Sequence, residues 1–178
     1  MKGKILTLML CLAAICSASC TKSKLEGIYN KQEGQIDTYI AKYESTCRIV
    51  RKGGSNRIVM KEGQGEELSS KGYVSFYYAG YTFNGSVSSS NLLVTNHQPT
   101  AEQAGWDLTD AEYELYETGM KDAELVQGLK DGLIGVQAGE ECEIVFSGKY
   151  GFGNKPFGII PANSALLYKI WVVAVSND

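Results

Sequence analysis

Residues 149–175 read KYGFGNKPFGIIPANSALLYKIWVVAV, from Lys149 to Val175, and the rest of the chain is best understood outward from them. The stretch joins an aromatic Gly-x-Gly turn around Phe152, an apolar Gly158-Ile159-Ile160-Pro161 hinge and a long apolar strand. It offers no nucleophile, no acid/base pair and no set of metal ligands. Its chemistry is that of a hydrophobic pocket: Phe152 and Tyr168 can face Ile159 and Ile160 across the turn and hold an apolar group away from water.

Upstream, the pattern supplies the rest of a domain. Leu125, Val126, Leu129 and Leu133 line one face of a helix predicted over 122–133, with Asp122 as N-cap and Gly135 at its exit. Glu141 to Ser147 alternates, placing Cys142, Ile144 and Phe146 inward, and Leu166 to Val175 places Leu166, Tyr168, Ile170 and Val172 on one face. The strongest strand is Lys71 to Tyr81, with Val74, Phe76 and Tyr78 opposite Tyr73, Ser75 and Tyr77. Asn84-Gly85, between Phe83 and Val87, predicts a hairpin. Thr46–Arg51 and Asn56–Lys61 read as short strands about the turn Lys52-Gly53-Gly54-Ser55, and Tyr113–Glu117 as another. Several antiparallel strands and one late helix predict an α+β domain, a curved sheet wrapped on that helix.

Between these elements, residues 88–111 form a long polar stretch holding Trp106 and the only histidine, His97. A loop of this length has a job or is mobile. A lone histidine does not make a metal site, and no cofactor is expected. The loop Glu62-Gly63-Gln64-Gly65-Glu66-Glu67 lacks the third glycine and the Lys-Ser/Thr of a phosphate cradle.

The N-terminus reads as an export signal: Lys2 and Lys4, an apolar run from Ile5 to Ile15, then Ser17-Ala18-Ser19-Cys20. Small residues before a cysteine, with Thr21-Lys22-Ser23-Lys24 after it, resemble the lipobox of bacterial lipoproteins, although Ser17 stands where an aliphatic residue is usual. The resemblance implies cleavage before Cys20, a diacylglycerol on its sulfur, and a protein anchored in the bacterial cell envelope by lipid alone. Loss of the two lysines takes the net charge from −3 to −5. That balance disfavours nucleic acid as a partner, since phosphate binding needs a concentrated basic surface. Thr21 to Asn30 reads as a polar tether, and Ile36, Tyr39, Ile40 and Tyr43 mark a short helix over about 32–45. Cys47 and Cys142 are left either to pair or to stay as separate thiols.

YVSFYYAG, an Asn-Gly hairpin, AELVQGLKDGLIGVQAGEECEIVF, KYGFG and GIIPANSALLYKI, in that order, resemble the FKBP-type peptidyl-prolyl isomerases over about residues 56–175. The resemblance implies a half-wrapped antiparallel sheet over one helix and an apolar cavity for a proline side chain. With the export, tether and helix readings above, it divides the chain into a signal (1–19), a tether (20–30), an N-terminal helix and strand extension (31–55) and an FKBP-like domain (56–178). It places the pocket at Tyr78, Leu125, Val126, Leu129, Phe152, Ile159, Ile160 and Tyr168. Four positions depart from the family: Val87-Ser88 stands for a Phe-Asp pair at the rim, Leu129 for a Trp floor, and Phe152 for a Tyr that donates its hydroxyl. Two readings follow. One is an isomerase with a weakened pocket, acting on proline-containing polypeptides and assisting the folding of exported proteins; the other is a non-enzymatic FKBP-like lipoprotein that binds a peptide, a glycan or a protein.

Overall fold

Alternation of apolar residues is what builds the sheet in the computed structural model, which describes residues 22–178. The export signal expected at 1–19 and the lipidation site Cys20 lie outside the described residues. Seven strands form one antiparallel sheet: β1 (Arg48–Lys52), β2 (Ser55–Lys61), β3 (Tyr73–Thr82), β4 (Leu92–Thr95), β5 (Tyr116–Gly119), β6 (Glu141–Phe146) and β7 (Leu166–Ser176). Their order is β1-β2-β6-β7-β3-β4, and β5 pairs with the first half of β3. This is the FKBP-like α+β architecture expected from the sequence. Helix α3 (Gln127–Leu133) packs on one face against Phe76, Cys142, Ile144, Phe146, Leu166 and Ile170. The close approach depends on two small residues. A Cβ on Gly128 would lie 2.2 Å from the Phe146 ring, and one on Gly132 would lie 2.3 Å from Ile144.

On the other face lies helix α1, which covers 22–40 and buries Ile36, Tyr39 and Ile40 against Ile58, Ala79, Tyr81, Val145 and Leu167. Residues 22–30, expected as a polar tether, are therefore helical. Their polar composition hid the periodicity: Leu25, Tyr29, Gln32 and Ile36 continue the buried stripe toward the N-terminus at helical spacing. The boundary drawn after residue 55 falls inside β2, which pairs with β6 from Ser55 to Lys61. Tyr39 Oη donates to Glu143 Oε2 at 2.6 Å, joining α1 to β6 by a buried polar contact. No helix among the described residues is long and apolar enough to cross a membrane. Cys47 and Cys142 are both free, and they pack in the clusters on opposite faces of the sheet.

The region 83–115 departs from the expected hairpin and loop. Asn84-Gly85 does not close a two-residue turn; β4 rejoins β3 only at Leu92, opposite Tyr81. Beyond it, α2 (Gln98–Gln103) buries Ala101, and Ala104 and Trp106 after it pack against the cluster on the α1 face. His97, at the N-cap of α2, stacks on Trp171 with centroids 3.7 Å apart and accepts or donates at Nδ1 with Thr100 Oγ1 at 2.9 Å. Burial holds the His97 pKa below its ordinary value, partly offset by the carboxylate of Glu141. A histidine depressed in the folded state lends stability above its unfolded pKa of about 6.5, and loses it as pH falls through the folded value. The urea midpoint of the wild type is therefore expected to fall more steeply between about pH 7.5 and about pH 5 than that of His97→Gln. Equal slopes in the two proteins would refute the assignment.

Candidate functional site

Tyr78 sits where the outer edge of β3 changes partner. Phe76 pairs with Tyr116 of β5, Ala79 pairs with Thr95 of β4, and Tyr78 lies in the gap. Two side chains and the Asn96 N–H, which donates to the Tyr78 carbonyl at 3.2 Å, replace the missing strand contacts. The Tyr78 N–H donates to Asn96 Oδ1 at 2.6 Å, and Thr95 Oγ1 donates to the Tyr78 carbonyl at 2.7 Å. Asn96 Nδ2 in turn donates to the Glu114 carbonyl at 2.9 Å, so one buried asparagine ties both edge segments to β3. The backbone around Tyr78 is thus satisfied without a continuous neighbouring strand.

Above this gap is a cavity of about 190 Å³, lined by Phe76, Tyr78, Val94, Tyr116, Glu124, Leu125, Val126, Leu129, Phe152 and Tyr168. Its base is aromatic. Tyr78 meets Phe76 and Tyr116 edge-on, with centroids 6.1 and 6.0 Å apart, and Tyr168 stacks on Phe146 at 6.2 Å. Burial, with a smaller contribution from Tyr116, raises the Tyr78 pKa, and burial followed by Tyr78 pushes Tyr168 up to about 12. Both phenols stay neutral near pH 7, and the exposed Glu124 at the rim supplies the one carboxylate of the lining. An apolar cavity of about 150 Å³ accepts a benzene ring. This one has room for a five-membered ring.

The helix-facing wall differs from its sequence reading. Helix α3 starts at Gln127, and Val126 before it is extended, with φ −60° and ψ 146°. A helix from 122 would fan successive side chains by about 100°. In the extended entry, Leu125 and Val126 both reach the cavity.

The sequence signature of the FKBP-type peptidyl-prolyl cis-trans isomerases matches residues 65–173, which contain every residue of this cavity. The chain belongs to that family. The FKBP-type domain is 20% identical over 123 residues to FK506-binding protein 1 of Aspergillus oryzae, covering 69% of this chain and 99% of that protein. It is 25% identical over 126 residues to FK506-binding protein 1A of Aspergillus fumigatus, covering 70% and 96%. Among solved structures, Escherichia coli FkpA is similar with a TM-score of 0.58 at 17% identity, over 96% of this chain and 71% of that one. The three FKBP domains of wheat FKBP73 give 0.59 at 18% identity, over 74% of this chain, which spans about half of that protein's length. At such identities the structural likeness shows the shared fold.

Within this FKBP-type domain, the structure brings Tyr78, Leu125, Val126, Leu129, Phe152 and Tyr168 to one cavity. Ile159 is not among them. Phe157 and Ile160 exchange two backbone hydrogen bonds, of 3.0 and 2.9 Å, which puts Gly158 and Ile159 at the tip of a tight turn. Ile159 is 78% exposed there, whereas Ile160 turns back and packs into the core beneath the cavity. Val87 and Ser88 also lie elsewhere: they line a separate depression with Tyr81 and Lys169, and Val87 packs on the α1 side of the sheet. The strand after the hairpin begins later than expected, so the rim side chain is Val94, 41% exposed.

Sequence reasoning missed Phe76, Val94, Tyr116 and Glu124. Phe76 was legible, because it shares the inward face of β3 with Tyr78 two residues away. Tyr116 and Val94 were not, since only the pairing of β4 and β5 with β3 delivers them. Trp106 does not fill the cavity. It lines a second, more polar depression of about 530 Å³ that shares the walls Tyr78, Val94 and Tyr116.

Proposed function

We propose that this chain is a peptidyl-prolyl cis-trans isomerase whose clients are proline-containing polypeptides, and that its pocket is weaker than a complete family site. The observation that carries the reading is the open apolar cavity, sized for a pyrrolidine ring, with no reactive group in its base. Rotation about an X–Pro bond must break amide resonance, a barrier of roughly 18–20 kcal/mol, and takes tens to hundreds of seconds unaided. No covalent step is needed. The twisted amide has less charge separation than the planar one, so an apolar enclosure that prefers it lowers the barrier by differential binding.

The resemblance to bacterial lipoproteins at Cys20 supports a further step: the protein is anchored by lipid in the cell envelope and acts on exported chains. The alternative, a binding module without turnover, draws on two features of the cavity. Phe152 carries no hydroxyl, and the rim at Val94 lacks an aromatic ring.

An isomerisation assay on peptides varied at the residue before proline separates the two. Acceleration on any peptide supports the enzyme; binding to the cavity without acceleration supports the module, and neither outcome on any peptide sinks both. Within the enzyme reading, Val94→Phe is expected to close the open wall and raise kcat/KM about tenfold, equivalent to one further contact of about 1.4 kcal/mol in the twisted state. An unchanged or lower kcat/KM would show that this wall does not meet the substrate.

A further inference from the structure

Residues 148–163 leave the sheet after β6 and return before β7, carrying Phe152 to the cavity and Ile160 to the core beneath it. The two ends of this loop nearly touch. A Cβ on Gly148 would lie 2.2 Å from the Asn163 carbonyl oxygen, so no side chain of the loop fits at its neck. What joins the neck comes from α1, on the other side of the sheet. Gln32 Oε1 accepts from the Gly148 N–H at 2.9 Å, and Gln32 Nε2 donates to the Asn163 carbonyl at 2.7 Å.

A primary carboxamide presents the same acceptor and donor as a peptide unit. Gln32 therefore stands in for the strand pairing that the two ends lack. One helical turn earlier, Tyr29 Oη donates to Asn163 Oδ1 at 2.8 Å. Asn163 is the one residue other than glycine among the described residues with a left-handed backbone, φ 59°. Such a conformation persists when its surroundings hold it. The Asn163 N–H then donates to the Gly153 carbonyl at 2.8 Å, next to Phe152. A continuous set of hydrogen bonds runs from α1, through Asn163, to the residue beside the aromatic wall.

We infer that Gln32 and Tyr29 are positioning residues of the cavity: α1 fixes the neck of the 148–163 loop and thereby sets the place of Phe152. The effect on turnover rests on the isomerase reading; the effect on the loop does not. The test uses Gln32→Leu, similar in size but unable to bridge, and Tyr29→Phe. Amide hydrogen exchange is expected to show the protection of Asn163 falling about tenfold in Gln32→Leu, and less in Tyr29→Phe, while Ile170 in β7 keeps its wild-type protection. With a prolyl peptide, KM or Kd is expected to rise about five- to tenfold in Gln32→Leu with kcat little changed, because a loosened wall weakens ground state and twisted state alike.

Unchanged Asn163 exchange, or equal loss at Asn163 and Ile170, overturns the inference, the second result marking Gln32 as merely structural. Loosened Asn163 with unchanged peptide affinity overturns the link to the cavity. If the wild type accelerates no peptide, the isomerase reading fails while exchange and binding still decide the role of Gln32.

Discussion

Replacing Arg57 by leucine is expected to remove about 3–5 kcal/mol of folding stability, more than any other single change considered for this protein. Arg57 is 2% exposed in the middle of β2, and its Nη1 and Nη2 donate to the carbonyls of Gly132, Ile134 and Gly135 at 3.0, 3.2 and 3.0 Å. These are the otherwise open acceptors at the C-terminal end of α3, where a cation is also favoured by the helix dipole. Its Nε faces the fully buried Glu140 at 3.3 Å, an ion contact without hydrogen-bond alignment. Leucine would leave Glu140 with only the more distant Arg48, 3.8 Å away, and would strip three carbonyls of their donors.

The loss carries a pH signature. Burial raises the Glu140 pKa, opposed by Arg57 and then Arg48. A carboxyl raised in the folded state contributes stability below its unfolded pKa and loses it as pH rises through the folded value. Without Arg57 the rise is larger, so the deficit of Arg57→Leu should be greatest near pH 7 and shrink toward about pH 5. Guanidinium unfolding at the two pH values measures it. Adding Glu140→Leu should recover a large part of the loss, since an apolar pair is often as stable as a buried ion pair. A deficit under about 1 kcal/mol, the scale of an exposed pair, would show that the cluster is not the anchor described.

Phe152→Ala is expected to lower kcat/KM on prolyl peptides about ten- to a hundredfold. That is the rate equivalent of the roughly 1.5–3 kcal/mol gained by enclosing an aromatic side chain. Phe152 forms one side of the cavity and stacks on Phe157 with centroids 4.5 Å apart and planes within 2°. Phe157 itself is 61% exposed and Phe152 is half-buried at the margin of the inner cluster, so its loss takes little from the core. The variant should melt close to the wild type. A fall in activity matched by a collapse of stability would assign Phe152 to the fold, and unchanged activity would remove it from the site.

Much of this was legible in the chain. Val74, Phe76 and Tyr78 of β3, and Leu166, Tyr168, Ile170 and Val172 of β7, announce their inward faces by alternation alone, and the structure has them in one cluster, Tyr78 at its edge. The ends of α3 and α1 were not legible. The apolar spacing of 125–133 suits a helix, yet tertiary packing draws 125–126 out into the cavity wall. In 22–30, polar side chains masked a helix whose stripe continues that of Ile36 and Ile40.

The sequence by itself determined the sheet-on-helix architecture, the family and most of the aromatic and aliphatic groups of the cavity, because side-chain alternation and turn chemistry are local properties of the chain. Only the tertiary structure decided which of two adjacent isoleucines faces inward, which rim residue β4 delivers, and that a glutamine from α1 closes the neck of the Phe152 loop. These depend on register, turn phase and contacts between residues more than a hundred positions apart, as between Gln32 and Gly148. A one-residue change of register reverses the face a side chain occupies, and no local pattern records the partner across the sheet.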